Sequence, residues 1–145
     1  MWDAMEKFAE TTPAVMVNGT DIFRITGGPI QILALGALCV TANDATASTL
    51  QYRADGTAGS ATTITAASAS LANAAAGTIV LAIPGTLATA PAVYANGVGV
   101  GTASVPIIVP AGIIEIVIGT GSTTGTWKHF MRWRPMVTGV QVDVA

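Results

Sequence analysis

The sequence predicts an all-β fold: a single antiparallel β-sandwich or jelly-roll-like domain over residues 13–145, preceded by a short N-terminal arm at residues 1–12. Three observations carry this reading. Short runs rich in Val, Ile, Thr and aromatic residues recur from Val15 onward. They are separated by the turn signals Asn18-Gly19, Pro84-Gly85, Asn96-Gly97 and Pro110-Ala111-Gly112, and evenly punctuated short strands are the mark of a sandwich or barrel. At 145 residues the chain fits one domain and is long enough to bury one sizeable core without disulfides or metal.

Residues 1–12 differ from the rest of the chain. Trp2, Met5 and Phe8 fall at three-residue spacing, with acidic residues on the other sides, which suits a short amphipathic helix or arm. Alone it is too short to hold together in water, so its three large side chains need a surface to dock on. Strands are then expected near Val15–Val17, Asp21–Ile25, Pro29–Thr41 and Thr46–Arg53. Asn18-Gly19 is a hairpin signal, because both residues tolerate positive φ, and Thr26-Gly27-Gly28-Pro29 breaks the chain before the long apolar run Ile30–Val40. Simple alternation puts Ile30, Ile32, Leu38 and Val40 on one face of that run and Leu33, Leu35 and Cys39 on the other, which predicts burial of both faces.

The Ala-rich segment Ile64–Gly77 reads as a short helix or a loop; Ser68 and Ser70 interrupt it, and Ala alone offers little to anchor a helix. Strands resume at Thr78–Ile83, Ala92–Tyr94, Ser104–Val109, Ile113–Ile118 and Trp127–Arg134, with a last one near Val140–Val144. In Trp127–Arg134, alternation sets Trp127, His129, Met131 and Trp133 on one face, read as core, and Lys128, Phe130, Arg132 and Arg134 on the other. Half of the positive charges of the chain lie on that second face. It reads either as a solvated edge or as a contact with an acidic neighbouring subunit, where Arg and aromatic side chains act as anchors.

Composition points to assembly. Between Asp55 and Glu115 there is no Lys, Arg, Asp, Glu or His. Charged residues make up 10% of the chain, against about 25% in ordinary domains. A domain of this size exposes on the order of 7,000 Å², so its six basic and eight acidic side chains amount to about one per 500 Å². That leaves weakly charged faces larger than the apolar patches of ordinary monomers, and such faces meet a partner or another copy. A net charge of -2 provides no broad basic field, so neither nucleic acid nor an anionic membrane is expected as partner.

Met1–Glu10 has no uninterrupted apolar stretch of the kind a secretory signal needs. The runs Ile30–Val40 and Val105–Ile118 are too short to span a bilayer, so no transmembrane helix is expected. Cys39, the only cysteine, sits in an apolar run and reads as a small buried hydrophobe.

The residues for chemistry are sparse, and no enzymatic activity, cofactor or metal is expected. His129 is the only histidine and lies in an aromatic strand, a poor setting for a triad base. One His and one Cys do not make a zinc site. Asp21, Asp44, Asp55 and Asp143 are scattered, with no calcium-loop spacing. Gly97-Val98-Gly99-Val100-Gly101 lacks the third glycine and the following helix of a dinucleotide loop and reads as a β turn. Glu115 and Asp55 flank the uncharged region without forming a recognisable glycosidase pair.

The segment Phe23-Arg24-Ile25-Thr26-Gly27-Gly28-Pro29-Ile30-Gln31-Ile32, followed by a long apolar strand, resembles small virion structural proteins of tailed bacteriophages. The ending resembles them too: Val109-Pro110-Ala111-Gly112-Ile113-Ile114, a Thr/Gly/Ser loop, then Trp127, Arg132, Trp133, Pro135, Met136 and Gly139. The resemblance covers roughly residues 20–140. It implies a capsid decoration (cement) protein, made in the host cytoplasm and carried on the capsid surface of the virion. Its partners would be the major capsid protein and further copies of itself, as a homotrimer. Repeated copies bury low-charge faces against one another, and each stabilises the shell by binding only its assembled form. The expected interface residues are Trp2, Met5 and Phe8 of the arm with Lys128, Phe130, Arg132 and Arg134. Other readings are a head-fibre base or minor tail protein, a non-viral shell or filament subunit, and a glycan- or surface-binding module in which exposed Trp127, Trp133 or Tyr94 stacks on sugars.

Overall fold

The computed structural model describes residues 5–57, 59, 61–82, 87–95 and 107–145. The strands among them are β1 (Lys7–Glu10), β2 (Ala14–Val15), β3 (Asp21–Thr26), β4 (Ile30–Cys39), β5 (Thr49–Gly56), β6 (Thr62–Thr63), β7 (Ile79–Leu81), β8 (Ala92–Tyr94), β9 (Ile107–Val109), β10 (Gly112–Gly119), β11 (Thr126–Pro135) and β12 (Gln141–Val144). They form two sheets. Sheet 1 runs β1-β11-β4-β7-β8, with β2 also on β11 and β9 also on β4; sheet 2 runs β12-β3-β10-β5-β6. Every pairing is antiparallel. The fold is the expected all-β sandwich, and the described residues contain no helix.

The chain crosses between the sheets at most of its turns, which is how a sandwich shares one core between distant segments. Sheet 1 contributes Ile30, Ile32, Leu35, Val80, Trp127 and Met131, and sheet 2 contributes Phe23, Ile25, Leu50, Tyr52, Ile114 and Ile116, all almost completely buried. One polar link joins the two layers inside this core. The Tyr52 hydroxyl lies 2.9 Å from His129 Nδ1, with the rings edge to face. Burial holds the His129 imidazole down, to a pKa of about 4, and pushes the Tyr52 phenol well above its usual range. A second buried hub lies at Asn43, whose Oδ1 accepts from Trp127 Nε1 at 3.1 Å and from the Gly125 N–H at 2.9 Å, while its Nδ2 donates to the Leu71 carbonyl at 3.0 Å.

The structure corrects several expectations. The three-residue spacing of Met5 and Phe8 does not become a helix: Lys7–Glu10 is a strand paired with β11, from Lys7 opposite Trp133 to Glu10 opposite Phe130. The open edge of β11 supplies the backbone partners that an isolated short helix would have to supply for itself. Trp2 lies outside the described residues. In Ile64–Gly77 the loop reading holds, and the chain is tied down by backbone bonds such as Leu71 N–H to the Ser48 carbonyl and Gly77 N–H to the Cys39 carbonyl. Asn18-Gly19 does turn the chain, with Gly19 at φ 80°, but it passes from β2 in sheet 1 to β3 in sheet 2 instead of closing a hairpin. The Gly19 N–H donates to the Ile116 carbonyl, and the Ile118 N–H donates to Asn18 Oδ1, so the turn clasps the end of β10. The expected turns at Pro84-Gly85 and Asn96-Gly97, the run Gly97–Gly101 and the start of the Ser104–Val109 strand lie outside the described residues.

β4 departs from simple alternation. Arg132 pairs with Ala34 and Trp133 with Ile32, leaving Leu33 as an extra residue on β4. This bulge reverses which side chains face inward. Ile30 and Ile32 point into the core before it; Leu35, Ala37 and Cys39 do so after it, while Leu38 stays half-buried and Val40 is exposed. The strand is therefore buried on one face and half-covered on the other, not buried on both. A similar shift places Glu115 opposite Asp21 and Ile114 opposite Phe23, so that Ile22 and Phe23 are both buried.

Candidate functional site

The residues singled out on β11 fall as alternation predicts. Trp127, His129, Met131 and Trp133 are buried, and Lys128, Phe130, Arg132 and Arg134 point away from the core. The structure brings the second set together with β1, because β1 lies beside β11. Phe8 stands opposite Arg132 and is 60% exposed. Met5 precedes the strand and is exposed.

The acidic partners of the basic face come from the same chain. Arg132 Nη2 donates to both carboxylate oxygens of Glu6 at 2.7 Å, and Lys128 Nζ to Glu10 Oε2 at 3.2 Å. Lys128 and Arg132, read from the sequence as facing either solvent or an acidic neighbouring subunit, pair with acids of their own chain. Arg134 lies opposite Gln31, is exposed and has no ion-pair partner among the described residues. On the inner side of β1, the Lys7 ammonium sits 5.4 Å from the Trp133 ring centroid, a cation–π contact.

Residues that the sequence pattern did not single out complete this surface. Across the outer side of sheet 1 the register aligns Glu10, Phe130, Gly36, Leu81 and Ala92 in one row, and Lys128, Leu38, Ile79 and Tyr94 in the next. Phe8, Arg132 and Ala34 form a third. The surface is charged only towards β1 and β11; over β4, β7 and β8 it is apolar, with half-buried Leu38, Ile79, Leu81 and Tyr94. Gly36 is required here. A Cβ at that position would collide with the Val80 carbonyl and come within 2.9 Å of Phe130 Cζ, so the Phe130 ring lies over the bare glycine and levels the face. The signal for this surface was present in Thr78–Ile83, where Ile79 and Leu81 are apolar on the side opposite the buried Val80.

The other described features are a cleft and a buried thiol. A cleft of about 580 Å³ opens between β9 and the β5–β6 edge, lined by residues such as Pro29, Ala54, Ile64, Ile107 and Pro110, with no titratable side chain among its described lining. Among the described residues no three His, Cys, Asp or Glu side chains gather at a metal-binding distance. Cys39 is buried, its thiol pKa raised by desolvation, and its S–H donates to the Thr41 carbonyl at 3.2 Å. Trp127 and Trp133 are core residues, 1% and 4% exposed, so neither offers a ring for sugar stacking.

The fold is a two-layer antiparallel β-sandwich whose sheet 1 is apolar over part of its outer side. The chain matches none of the protein-family models, curated proteins or solved structures with which it was compared.

Proposed function

We propose that the chain is a non-enzymatic virion structural protein of the capsid-decoration type, which binds the outside of a phage head as a symmetric oligomer and stabilises it. The observation that carries this reading is the outer side of sheet 1, apolar over β4, β7 and β8 through half-buried Leu38, Ile79, Leu81 and Tyr94, with its cations Lys128 and Arg132 paired to Glu10 and Glu6 of the same chain. Apolar surface on the outside of a domain marks a place of contact with another protein. The uncharged stretch between Asp55 and Glu115 and the resemblance of residues 20–140 to phage virion proteins point the same way.

The test is co-sedimentation of the purified chain with heads of its phage prepared without it. Saturable binding to the mature shell, with a raised temperature of head disruption, is the expected result. Absence of binding to heads, together with absence of the chain from purified virions, would sink the proposal. Deleting residues 1–12 is a poor version of this test, because Thr11 exchanges hydrogen bonds with the backbone of His129 and β1 is part of sheet 1. Phe8→Ser alters the exposed N-terminal side chain and leaves the strand in place.

A further inference from the structure

We infer that neighbouring copies of the chain associate face to back, with the basic strip of β11 on the outer side of one copy's sheet 1 seated on the acidic outer side of the next copy's sheet 2. This rests on the symmetric-oligomer part of the reading above and not on its virion part. Charge, exposure and supply select a second copy as the occupant.

The two outer sides carry net charge of opposite sign. On sheet 1, Lys128, Arg132 and Arg134 face outward with Glu6 and Glu10, three cations to two acids among the described residues. Lys7 turns inward to the Trp133 ring. On sheet 2, Asp21, Asp55, Glu115 and Asp143 face outward with Arg24 and Arg53, four acids to two cations. Pairing within the chain sharpens the contrast. Lys128 and Arg132 are tied to Glu10 and Glu6, and Arg53 to Glu115. Among the described residues this leaves Arg134 as the unpaired charge of sheet 1, and Asp21, Asp55 and Asp143 against Arg24 on sheet 2.

The basic strip also carries exposed apolar side chains. Phe8, opposite Arg132, and Ile108, in the same row as Arg134 and Gln31, are each 60% exposed. Arg and aromatic side chains are enriched where proteins meet. On sheet 2, half-buried Ile113 lies between Arg24 and Asp55 in one cross-strand row.

The chain supplies both halves of this contact on opposite sides of one sandwich. A foreign partner of either sign matches one side and leaves the other unused; a neighbouring copy matches both, because each copy presents the complement of what it receives. Such a contact joins two different patches and is heterologous. It repeats from copy to copy and closes into a ring, a trimer included, when the rotation per step permits.

The experiment is the solution mass of the full chain by light scattering from low to high micromolar concentration, with no capsid present, in low and in high salt. A mass of at least twice 14.6 kDa is expected at low salt. High salt should raise the dissociation constant about tenfold, because screening acts on exposed charges. Arg134→Glu and Asp55→Lys should each do the same at low salt while circular dichroism stays unchanged, and Arg134→Gln and Asp55→Asn should act in the same direction with smaller size. An equimolar mixture of the Arg134→Glu and Asp55→Lys chains should regain a dimer, since the intact sheet 2 of the first meets the intact sheet 1 of the second. A wild-type chain that stays monomeric at low salt overturns the inference, as does an oligomer that survives both reversals or a mixture that stays monomeric. Because no head takes part, loss of head binding with the oligomer intact would count against the virion reading alone. A wild-type monomer whose binding to heads is lost in Arg134→Glu would give the basic strip to the shell and overturn this inference alone.

Discussion

The two sheets share one core and differ on their outer sides. Apart from the shift in β3, sheet 2 follows ordinary alternation. Outside it, Asp143, Arg24, Ile113 and Asp55 lie in one cross-strand row, and Asp21, Glu115, Arg53 and Thr63 in the next. Arg53 Nε donates to Glu115 Oε1 at 2.6 Å between directly opposed residues, the favoured geometry for a cross-strand pair. Sheet 1 instead carries apolar residues outward from β4, β7 and β8 and keeps its charges at one side. Antiparallel sheets commonly pack one face on the core and leave the other to water; sheet 2 follows this along its whole outer side, and sheet 1 only along β1 and β11. The difference teaches that one core can be shared by two sheets whose outer sides differ in charge, because outward residues are chosen strand by strand.

The largest expected effect separates both faces from the layer between them. His129 has a folded pKa of about 4 because it is buried, below its ordinary value of about 6.5. As pH falls, the unfolded chain therefore takes up the proton first. The stability contributed by the neutral ring is complete above about pH 6.5 and is lost through that window, about 3 kcal/mol by pH 4. Urea unfolding at pH 7 and pH 4.5 measures it, and His129→Leu should flatten the slope. A stability that does not change over this range would mean that the folded chain carries a protonated imidazole.

Glycines on the two sheets sharpen the contrast. Gly36→Ala drives a methyl group into the Val80 carbonyl and the Phe130 ring, and should cost about 2 kcal/mol, typical of overpacking. On sheet 2, a Cβ at Gly119 meets chiefly the Thr49 side chain, which can rotate away, so Gly119→Ala should cost less than about 1 kcal/mol. Thermal melts of the two variants side by side decide the ranking; equal losses would mean that the outer side of sheet 1 at Gly36 is no more tightly built than sheet 2 at Gly119.

The smallest effects are electrostatic. Glu6→Lys replaces an internal pair with like charges beside Arg132, and Arg24→Gln removes a cation from sheet 2. Both raise the charge contrast between the two outer sides and should strengthen self-association severalfold with little change in melting temperature, because exposed ion pairs contribute little to folding. Sedimentation of both variants at one salt concentration tests this, and a loss of association in either would reverse the assignment of the faces.

Much of this was legible in the sequence, and the failures have physical causes. Strict alternation in Trp127–Arg134 divided the core face from the outer face correctly because β11 carries no extra residue. The same rule misassigned Leu38 and Val40 because the bulge at Leu33 lies on β4 and is defined only by its pairing with β11. Asn18-Gly19 announced a turn, since positive φ is a local property, but which sheet received the next strand was not local. Glu6 and Glu10 were visible as charges in the first residues; their partners lie more than a hundred positions away and met them only once β1 had joined the edge of β11.

The sequence by itself determined the fold class, the strand runs and the scarcity of charge, because side-chain period, turn residues and composition act over a few neighbours. Only the tertiary structure decided that the apolar residues of β4, β7 and β8 share one outer face and that the N-terminal acids neutralise the basic strand. Those outcomes depend on register and strand order, which are set when distant segments pair and bury a common core.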